Sequence, residues 1–591
     1  MLERYTMGVQ LKEISMRLSL ARGLVAAALS AALAATLAAA TPSSAAEPDA
    51  GLSLTYQPVV AADGRFRAID VTLRFRGAAS GVTIVDLPNE WGGFDKLYNY
   101  LGDIRAEGAT LAPSSDPAKI ALRHAPGALI VLRYLVSGAN RAEQLQDGEV
   151  VNDYRPLIQP TWFHLIGDAV VARPEHLDGD TPASFSVRGM PAGTRFASDL
   201  EHPGLTVDGL IESIAVGGDF RLIDAGHGAR LAVRGSFATR DDAGWTQSFR
   251  RVAAAMSEYW GNNAGRYLVT IIPFAPPGPG ATSIGGTGRG DAFAFFATTN
   301  ALPEMLDRLM AHEMAHSWVN VRIGGFSEAV PEAEQFWLSE GFTDFTSWRA
   351  LVRAGVWTPE QYFAQFNDAL REYDASPLRA APNKEAARLF WTDEKAQRLA
   401  YLRGMLFAHW ADDRLRRAPG GSSMRNLLLA MQAAAPAARS DAVTLFSAEA
   451  QRRDAAIGEG IARFIDRGEP IALPADMLAA CGTLRQFERL VFDRGFDVDA
   501  TLANGRIIAG VAQDGPAWQA GMRDGMTLIG RSGGEIGNNQ SEIAYDVDDG
   551  GTKRTLRYMP QGRARETVRE FALDDLSPPA ARQACIGALS R

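Results

Sequence analysis

Two histidines and a glutamate stand close together in one short segment of this chain. Residues 312–316 read His-Glu-Met-Ala-His, which places His312 and His316 four residues apart. Because residues i and i+4 share one face of an α-helix, both imidazoles can direct a ring nitrogen at one metal ion. Glu313 lies beside that face, where its carboxylate can take a proton from a water molecule at the metal. The spacing predicts a metal site with an adjacent general base.

The flanking sequence predicts that this segment is a helix. Pro303 suits a first helical turn, and Gly324 and Gly325 end the pattern. Between them runs an apolar stripe of Met305, Leu306, Leu309 and Met310. The chain has eight histidines among 591 residues, so the motif is expected by chance only on the order of 0.006 times. Two surface histidines beside a glutamate are therefore the less favoured interpretation.

A catalytic zinc ion takes three protein ligands and leaves one position open for water. We expect the third ligand on a second, downstream helix, and Glu340 is the preferred residue. Its apolar neighbours are those of a partly buried helix: Trp337, Leu338 and Phe342. Three nearer glutamates remain open as alternatives in an exposed, proline-interrupted stretch: Glu328, Glu332 and Glu334.

Asp344 follows Glu340 by one helical turn. Its carboxylate can accept a hydrogen bond from the second nitrogen of a histidine ligand and so fix the orientation of that ring. An exposed carboxylate on the helix surface is an equally open interpretation of Asp344.

The composition excludes several classes of protein. The chain has 591 residues and a mass of 63.6 kDa, with 46% apolar and 22% charged residues, which is ordinary for a globular protein. This balance argues against intrinsic disorder, a collagen-like fibre and a coiled coil. The net charge of −9 and the pI of about 5.6 provide no basic surface for nucleic acid. At roughly 150 residues per domain, the length predicts three or four domains.

The N-terminal segment has the pattern of a secretory signal peptide. A basic start, an uncharged apolar stretch and a run of small residues follow one another in residues 16–46. We predict that residues 1–46 are a cleaved signal, with Met7 and Met16 as alternative starts. A membrane anchor is the alternative, because about 18 apolar residues can just span a bilayer. No later stretch is long and apolar enough to cross a membrane, so the sequence predicts an exported, periplasmic protein.

Three stretches of the mature chain differ in periodicity. Residues 47–244 show short apolar alternations broken by Gly, Asp and Pro, which predict an all-β domain resembling a β-sandwich. Residues 245–480 carry apolar residues at helical spacing, with a Pro/Gly loop at 273–282. Residues 481–591 return to short strands and turns. We therefore expect a multidomain α+β protein.

The two cysteines, Cys481 and Cys585, lie at the two ends of the last stretch. Export makes a disulfide between them possible, because disulfides persist in oxidising compartments. One hypothesis is a disulfide that joins the two ends of this stretch, and the other is two unrelated buried thiols.

The motifs resemble those of the gluzincin metallopeptidases, whose third ligand is a glutamate in a WLNEGF-type helix. The matching residues are HEMAH at 312–316 and WLSEGFTDF at 337–345. The 23 residues between the second histidine and Glu340, 317–339, form a longer spacing than in the usual aminopeptidase branch and are closer to the glycyl aminopeptidase branch. Further matches to that branch are SWVNVRI at 317–323, YLRGML at 401–406 and GGS at 420–422.

The resemblance implies a mainly helical, thermolysin-like peptidase domain that holds one zinc ion with His312, His316 and Glu340. It implies Glu313 as the general base and Tyr401 as a donor to the oxyanion of the reaction. Without the resemblance, Tyr401 would be interpreted as an ordinary packed tyrosine. The resemblance also implies an N-terminal β domain, a C-terminal PDZ domain and a peptide or protein substrate.

The PDZ interpretation has its own residues. The segment 506–530, RIIAGVAQDGPAWQAGMRDGMTLIG, looks like the core of a PDZ domain, with Met526 where an aspartate is usual. Arg494, Gly495 and Phe496 would belong to the loop whose backbone N–H groups hold a peptide C-terminus. A PDZ-like fold used only for docking to the catalytic domain is the alternative.

One departure from the family concerns the strand that binds the substrate. The family carries a glutamate upstream of the HExxH motif, and this glutamate holds the α-ammonium group of the substrate. The matching residues here are Gly285, Gly286, Thr287, Gly288 and Arg289. Gly288 occupies the place of the glutamate, Arg289 would repel an ammonium group if it faced the site, and Asp291 is an alternative anchor. The sequence supports peptide hydrolysis more strongly than aminopeptidase specificity, and an endopeptidase remains open.

Two classes of function follow from these observations. The first is an active zinc metallopeptidase, related to aminopeptidases, with altered recognition of the substrate N-terminus. The second is a decayed peptidase fold that acts as a PDZ-containing binding module in the cell envelope. The complete set of catalytic residues favours the first, and the missing glutamate is the feature that favours the second.

Overall fold

The computed structural model of the chain describes residues 51–591 apart from residues 140, 147–150, 227, 263–264, 277–280, 328, 535 and 591. The predicted signal segment, residues 1–46, lies outside the described residues, and so does Glu328. The buried apolar side chains of the described residues form three clusters. These clusters belong to a β-rich N-terminal part, a mixed central part and a small C-terminal unit.

The N-terminal part is built mainly from strands that bury alternate side chains. Its elements are β1 (Leu52–Val60), β2 (Phe66–Arg76), β3 (Val82–Asp86), β4 (Leu101–Glu107), β5 (Thr110–Ala112), β6 (Lys119–Arg123), β7 (Leu129–Ser137), β8 (Leu157–Ile158), β9 (Trp162–Ile166), α1 (Gly167–Val170), β10 (Arg173–Pro174), β11 (Pro182–Val187), β12 (Arg195–Ser198), β13 (Leu205–Thr206), α2 (Val207–Ile211) and β14 (Ile214–Gly218). In β1, Leu52, Leu54 and Tyr56 are buried and the residues between them are less so, as in a strand with one face on a core. The sheets have the orders β13-β11-β1-β2-β7-β4, β10-β3-β6-β5 and β12-β14-β9-β8. The N-terminal part is therefore rich in β-structure, as predicted.

A five-stranded sheet forms one layer of the central part. Its strands are β15 (Arg221–Gly226), β16 (Ala229–Val233), β17 (Tyr267–Phe274), β18 (Ile284–Arg289) and β19 (Ala292–Thr298). Their order is β15-β16-β17-β19-β18, and β18 runs antiparallel to β19 at one edge. All residues of β17 and β19 are buried, because both faces of these inner strands are covered. The strands β15 and β16 fall within the predicted all-β stretch 47–244, yet they belong to this central sheet.

Helices form the rest of the central part. They are α3 (Asp242–Trp260), α4 (Pro303–Ala315), α5 (Phe336–Arg353), α6 (Pro359–Ala375), α7 (Asn383–Leu389), α8 (Glu394–Arg417), α9 (Met424–Gln432), α10 (Ala442–Arg453) and α11 (Ala455–Gly460), followed by a π-helical turn (Ile461–Asp466). Their ends follow sequence signals. Asp241 caps the start of α3, Gly261 ends it in a left-handed conformation, and Thr358 and Gln361 form a capping box on α6. The helix α5 is buried from Phe336 to Val352, so it lies at the centre of this part.

The C-terminal residues form a small unit and a ribbon. The elements are β20 (Gly482–Phe492), α12 (Val498–Ala503), α13 (Pro516–Gln519), β21 (Thr527–Gly533), β22 (Ile543–Asp549), β23 (Thr552–Tyr558), β24 (Gln561–Leu573) and α14 (Pro579–Leu589). The strands β21, β22 and β23 form a sheet in that order, and β20 pairs with β24 as a long antiparallel ribbon. The small unit has its own core around Phe496, Met522 and Tyr545. Its assignment as a PDZ domain stays a prediction.

The ribbon and the last helix pack on the central part. Phe571 of β24 stacks on Phe363 of α6, with 4.1 Å between the ring centroids. Cys481 and Cys585 form a disulfide, and both sulfur-bearing residues belong to the central core. The disulfide therefore joins α14 to the start of β20 within the central core, and the small unit is an insertion between β20 and β24.

Among the helices of the described residues, we find none that is long and apolar enough to cross a membrane.

Candidate metal centre and substrate cleft

The helix α4 carries the two histidines on one face. Pro303 begins the helix, Ala315 is its last residue, and His316 follows in a right-handed helical conformation. The side chain of His316 therefore keeps the direction that a further helical residue would have. Both imidazoles are buried, and their rings meet edge to face with 5.0 Å between centroids. The four-residue spacing brings the two ring nitrogens to one point, as the sequence predicts.

The helix α5 supplies the third ligating group. Oε2 of Glu340 lies 3.3 Å from Nε2 of His312 and 3.6 Å from Nε2 of His316. The ligand atoms of these three residues all lie within 4.8 Å of one another. Glu332 and Glu334 form a separate short turn before α5 and are not part of this cluster. Within the described residues, the geometry therefore brings Glu340 to the histidines.

The polar atoms of this cluster fit a metal ion. Nε2 of His312, Nε2 of His316 and Oε2 of Glu340 are buried and have no hydrogen-bond partner among the described residues. A buried polar atom without a partner costs about 1–3 kcal/mol, and here three such atoms converge on one point. Two imidazole nitrogens and a carboxylate oxygen are the ligand set of many catalytic zinc sites. His312, His316 and Glu340 would hold the ion.

Hydrogen bonds behind the ligands fix their orientation. Nδ1 of His312 lies 2.9 Å from Oδ1 of Asp344, so the ring can donate its N–H there and keep a lone pair on Nε2. Oγ of Ser339 donates to Oε1 of Glu340 over 3.0 Å, which leaves Oε2 for the metal. The structure thus places Asp344 in a buried position behind His312.

His316 has two polar neighbours at its outer nitrogen. Nδ1 lies 3.4 Å from Nδ2 of Asn320 and 3.4 Å from Oγ1 of Thr343. The hydroxyl of Thr343 donates to the carbonyl of Ser339, so its oxygen can accept an N–H from His316. Asn320 has a left-handed backbone with φ of 75°, which asparagine tolerates better than most residues. Asn320 lies four residues after His316, and this spacing is the sequence signal that could have identified it.

The charges of the cluster shift its pKa values in opposite directions. Burial alone would raise the pKa of Glu340, but the charges of His316 and His312 outweigh it and hold the pKa well below its usual range. Burial alone would lower the pKa of His312, but the hydrogen bond to Asp344 and the nearby carboxylates of Glu340 and Glu313 raise it to about 10. A metal ion therefore competes with a proton for this site.

Glu313 stands beside the cluster with both carboxylate oxygens buried. Neither oxygen has a hydrogen-bond partner among the described residues. Burial raises the pKa of Glu313, and the charges of His312 and His316 oppose this effect. A carboxylate with a raised pKa is a better proton acceptor at neutral pH than an exposed one. Its position fits the predicted general base.

Two glycines bring Tyr401 to the cluster. A Cβ built on Gly341 of α5 would lie 2.4 Å from Cα of Gly404 in α8, and a Cβ on Gly404 would lie 1.7 Å from the carbonyl oxygen of Trp337. Only glycine allows the two helices to approach so closely. As a result, the ring of Tyr401 stacks on that of His312 with 5.8 Å between centroids. Burial, followed by the charges of Glu340 and Glu313, raises the pKa of Tyr401, so its hydroxyl keeps its proton.

The edge strand β18 borders the general base. A Cβ built on Gly288 would lie 3.6 Å from Oε2 of Glu313, so a side chain at this position would face the catalytic centre. Gly285 and Gly286 have no room for a side chain, since a Cβ would lie 1.7 Å from Asn152 and 2.3 Å from the carbonyl of Ala294. Thr287 is buried. The glycines therefore shape the strand, and the absent glutamate leaves an open position beside Glu313.

Arg289 points away from the catalytic centre. Its Nε lies 2.9 Å from Oδ2 of Asp168, and its guanidinium lies 3.3 Å from the ring centroid of Trp91. Because successive strand residues point to opposite faces, Gly288 and Arg289 face different surroundings. Arg289 therefore does not repel an ammonium group at the metal centre.

Two tyrosines near Glu313 were missed by sequence reasoning. The hydroxyl of Tyr154 donates to the carbonyl of Gly286 over 2.7 Å. Burial, followed by the charge of Glu313, raises the pKa of both Tyr154 and Tyr267. Tyr154 lies in the N-terminal part and Tyr267 on β17, and neither belongs to a motif that would have identified it.

The predicted peptide-binding loop of the small unit forms hydrogen bonds within that unit. The N–H of Gly495 donates to Oδ1 of Asp493 over 2.7 Å. The carbonyl of Arg494 accepts a hydrogen bond from the hydroxyl of Tyr558 over 2.6 Å. Phe496 is buried in the core of the unit. At least one N–H of this loop is therefore already used inside the protein.

This chain is similar to known proteins in the sequence of one segment and in its fold. A sequence model of the M61 glycyl aminopeptidase family matches residues 306–401. The fold is similar to that of an aminopeptidase N family protein from Idiomarina loihiensis, with a TM-score of 0.65 and 13% identity, over 91% of this chain and 100% of that chain. An M1 zinc metallopeptidase from Deinococcus radiodurans has a TM-score of 0.43 and 16% identity, over 71% of this chain and 94% of that chain. A search of curated proteins finds no match.

The matched segment contains the whole metal cluster, Glu313 and Tyr401. The family match and the cluster of His312, His316 and Glu340 support a zinc peptidase. The similarity to the Idiomarina loihiensis structure extends over the β-rich and helical parts and concerns the fold.

Proposed function

We propose that this protein is an exported zinc metallopeptidase that hydrolyses peptide bonds near the N-terminus of its substrate. The observation that carries this proposal is the convergence of three buried, unpartnered ligand atoms, from His312, His316 and Glu340, beside the unpartnered carboxylate of Glu313. An active enzyme needs this arrangement, whereas a binding module has no use for an unpaired buried carboxylate. The family match over residues 306–401 supports membership of the glycyl aminopeptidase family.

The chemistry divides between the ion and the side chains around it. When bound, zinc activates a water molecule and polarises the substrate carbonyl as a Lewis acid. Glu313 accepts the proton of the attacking water and delivers it to the nitrogen of the leaving amine. Its carboxylate is suited to both steps because burial raises its pKa. Asp344 holds the ring of His312 in the orientation that ligation needs.

Tyr401 stabilises the oxyanion of the tetrahedral intermediate. Its hydroxyl is protonated, because burial and two nearby carboxylates raise its pKa. The stacking of its ring on His312 places it at the ligand cluster. A neutral donor that points at developing negative charge lowers the barrier without itself changing charge.

The edge strand β18 provides a place for the substrate backbone. An edge strand presents N–H and C=O groups with which an extended peptide can pair. The carbonyl of Gly286 accepts a hydrogen bond from Tyr154, and residues two apart in a strand present their groups in the same direction. The groups of Gly288 therefore face outwards as well, next to Glu313. A peptide paired there would have its scissile bond at the metal centre.

Two further proposals come from the sequence. We propose that the small C-terminal unit is a PDZ domain, and that the loop at Arg494, Gly495 and Phe496 would have to release the N–H of Gly495 before binding a peptide carboxylate. We also propose that residues 1–46 direct export. Edman sequencing of the secreted protein would test the second proposal, since a start near residue 47 supports it and a start at residue 1 contradicts it.

Peptide cleavage tests the proposed function. Protein starting at residue 47 is incubated with a mixed peptide library, and the products are identified by mass spectrometry. We expect cleavage by the natural sequence and, because the general base is lost, a rate at least about 100-fold lower for Glu313→Gln. Equal product patterns from both proteins would contradict the proposal and favour a binding module. Zinc content of the variant serves as the control, because Glu313 is not a ligand and the ion should be retained.

A further inference from the structure

A carboxylate of the N-terminal part lies at the far end of the edge strand β18. A Cβ built on Gly290, just after β18, would lie 3.0 Å from Oδ2 of Asp199 and 2.6 Å from the carbonyl oxygen of Glu212. Two residues earlier, the Cβ of a side chain at Gly288 would lie 3.6 Å from Glu313. Gly290 belongs to the turn after β18 and has a φ of 50°, and two residues of chain span at most about 7 Å. Asp199 therefore lies beside this turn, within two residues of the position that borders the general base.

Asp199 is partly buried and has no cationic partner in the described part of the chain. It follows β12, and its Oδ1 accepts a hydrogen bond from the N–H of Ile214 over 2.9 Å. Within the described ranges, Asp199 forms no ion pair. Burial raises its pKa to about 8, and the charge of Asp291 adds to this effect. A buried carboxylate without a counter-charge is costly, and a cationic ligand would remove that cost.

Asp291 is the less suitable of the two carboxylates for binding a cation. It is exposed in the turn between β18 and β19, and the positive charges of His202, Arg266 and Arg322 already act on it. For Asp199, the nearby charge that acts on its pKa is negative. Of the two groups, Asp199 therefore has more to gain from a new cation, which would stabilise its charged form.

Tyr267 lies near both this carboxylate and Glu313. Burial raises the pKa of Tyr267, and the charges of Glu313, Asp291 and Asp199 raise it further. One phenol hydroxyl thus feels both the general base and the two aspartates. Together with the distances from Gly288 and Gly290, this indicates that Asp199 and Glu313 both lie near the end of β18.

The charges also set the direction of a bound peptide. A substrate with a free N-terminus carries a positive α-ammonium group at one end. When its backbone pairs with the edge of β18, attraction draws this end towards Asp199. The scissile bond then lies beside Glu313, and the intervening substrate residues run from Gly288 to the turn at Gly290. No side chain at position 288 stops the peptide before it reaches Asp199.

We propose that Asp199 binds the α-ammonium group of the substrate, so that the enzyme releases N-terminal di- or tripeptides instead of single amino acids. A glutamate at position 288 would hold the N-terminus next to the scissile bond. The anchor at Asp199 lies beside Gly290, two residues further along the chain in the turn after β18, which leaves room for one or two additional residues. This inference rests on the proposed peptidase function and specifies its substrate.

Product length provides the first test. Synthetic hexapeptides with a free or an acetylated N-terminus are incubated with the natural protein, and products are measured by mass spectrometry over time. We expect dipeptides or tripeptides as first products and an acetylation penalty of at least about tenfold in kcat/KM, because acetylation removes the charge. Release of single amino acids, internal cuts at other distances, or equal rates for both peptides would overturn the proposal.

Substitution of the anchor provides the second test. Asp199→Asn keeps the oxygen that accepts the Ile214 N–H and removes the charge. The acetylation penalty, which is the ratio of kcat/KM for the free peptide to kcat/KM for the acetylated peptide, should therefore fall towards one. Asp116→Asn removes an exposed carboxylate from the same N-terminal part and should keep the full penalty. A retained penalty in Asp199→Asn would overturn the proposal. Loss of the penalty in Asp291→Asn alone would transfer the anchor to Asp291.

Binding separates this inference from the peptidase function. Glu313→Gln protein, with and without Asp199→Asn, is titrated with hexapeptides labelled at the C-terminus, and fluorescence anisotropy gives the Kd. We expect the free N-terminus to bind at least about tenfold more tightly than the acetylated one, and only when Asp199 is present. If the natural protein cleaves no peptide but this preference persists, the peptidase function fails and the anchor stands. If cleavage occurs without any preference, the anchor fails and the peptidase function stands.

Discussion

His312 contacts the main groups of the catalytic centre at once. Its Nδ1 meets Asp344 at 2.9 Å, its Nε2 meets Glu340 at 3.3 Å, and its ring stacks on Tyr401. These contacts restrict the ring to one orientation, and Nε2 keeps a lone pair only while Nδ1 donates its proton to Asp344. The ligating ability of His312 therefore depends on a residue that does not touch the metal.

Asp344→Asn should weaken zinc binding by about 10–100-fold. The amide keeps the size of the side chain but loses the negative charge that accepts the His312 N–H. Competition with a chromophoric chelator measures the zinc affinity. Asp466→Asn, which changes an exposed carboxylate of the central part, is the control and should leave it unchanged. An unchanged affinity in Asp344→Asn would mean that Asp344 does not orient the ligand.

Tyr401→Phe should lower kcat by about 10²–10³-fold with little change in KM. The phenyl ring preserves the stacking on His312, and only the donor to the oxyanion is lost. Steady-state kinetics on one peptide separate the two constants. Tyr373→Phe removes another hydroxyl of the central part, which accepts the N–H of Ile471, and should keep kcat. A rise in KM alone would show that Tyr401 lines the pocket without acting on the transition state.

Individual site residues were predictable to different degrees. His312, Glu313 and His316 follow from helical spacing alone, and Glu340 follows from its apolar neighbours. Asp199 was not predictable, because more than a hundred residues separate it from the metal motif in the chain and it belongs to no recognisable motif. Its approach to β18 depends on the packing of the N-terminal part against the central sheet.

The helices α5 and α8 cross at a contact made of two glycines. Gly341 follows the ligand Glu340, and Gly404 lies three residues after Tyr401. Their close approach sets the distance between the ligand helix and the helix that carries the oxyanion donor. The catalytic geometry thus requires glycine at both positions, because a Cβ at either one would push the two helices apart.

Gly404→Ala should destabilise the protein by about 1–3 kcal/mol or more and reduce catalysis. The added methyl group would overlap the carbonyl oxygen of Trp337, which forces α8 away from α5. Thermal melting and kcat are the measurements. Gly587→Ala on α14 meets nothing within 4 Å and should be neutral or stabilising by about 0.5–1 kcal/mol. Similar effects of the two changes would show that the glycine contact does not set the helix distance.

Periodicity identified the helices better than the strands. The predicted helical stretch, residues 245–480, contains most of α3 and all of α4 through α11, although α4 ends at Ala315 and not near Gly324 and Gly325. The strands β17 and β19 were not separated from the helical stretch, since both are buried on two faces and show no alternation. Such apolar runs do not reveal their periodicity. The edge strand β18 was also missed. It is rich in glycine because its surroundings leave no room for larger side chains at Gly285 and Gly286, and glycine is uncommon in strands.

The last helix, α14, packs against the central part that holds the candidate metal site. The ribbon of β20 and β24 leads to the small unit and back, and α14 then packs beside α5. Arg353 at the end of α5 donates to the carbonyl of Ser590 over 2.9 Å. The position of the cysteines predicted a disulfide, but their place inside the central core was not predictable, because it depends on the docking of α14.

Removal of the disulfide should lower the free energy of unfolding by about 2–4 kcal/mol. The bond joins residues separated by 104 positions, so it restricts a long loop in the unfolded chain. Thermal melting of the double variant Cys481→Ala/Cys585→Ala, and of the natural protein with and without reductant, measures the effect. An identical melting temperature in all cases would show that the disulfide does not stabilise the fold.

Zinc titration of the metal-free protein tests the central claim most directly. The protein is stripped with a chelator, zinc is added in fractions of an equivalent, and peptide hydrolysis is followed at each step. The account predicts no hydrolysis without metal and a linear rise that stops at one equivalent, with no rise in His316→Gln. Hydrolysis that survives complete removal of zinc, or a rise that is unchanged in His316→Gln, would contradict it.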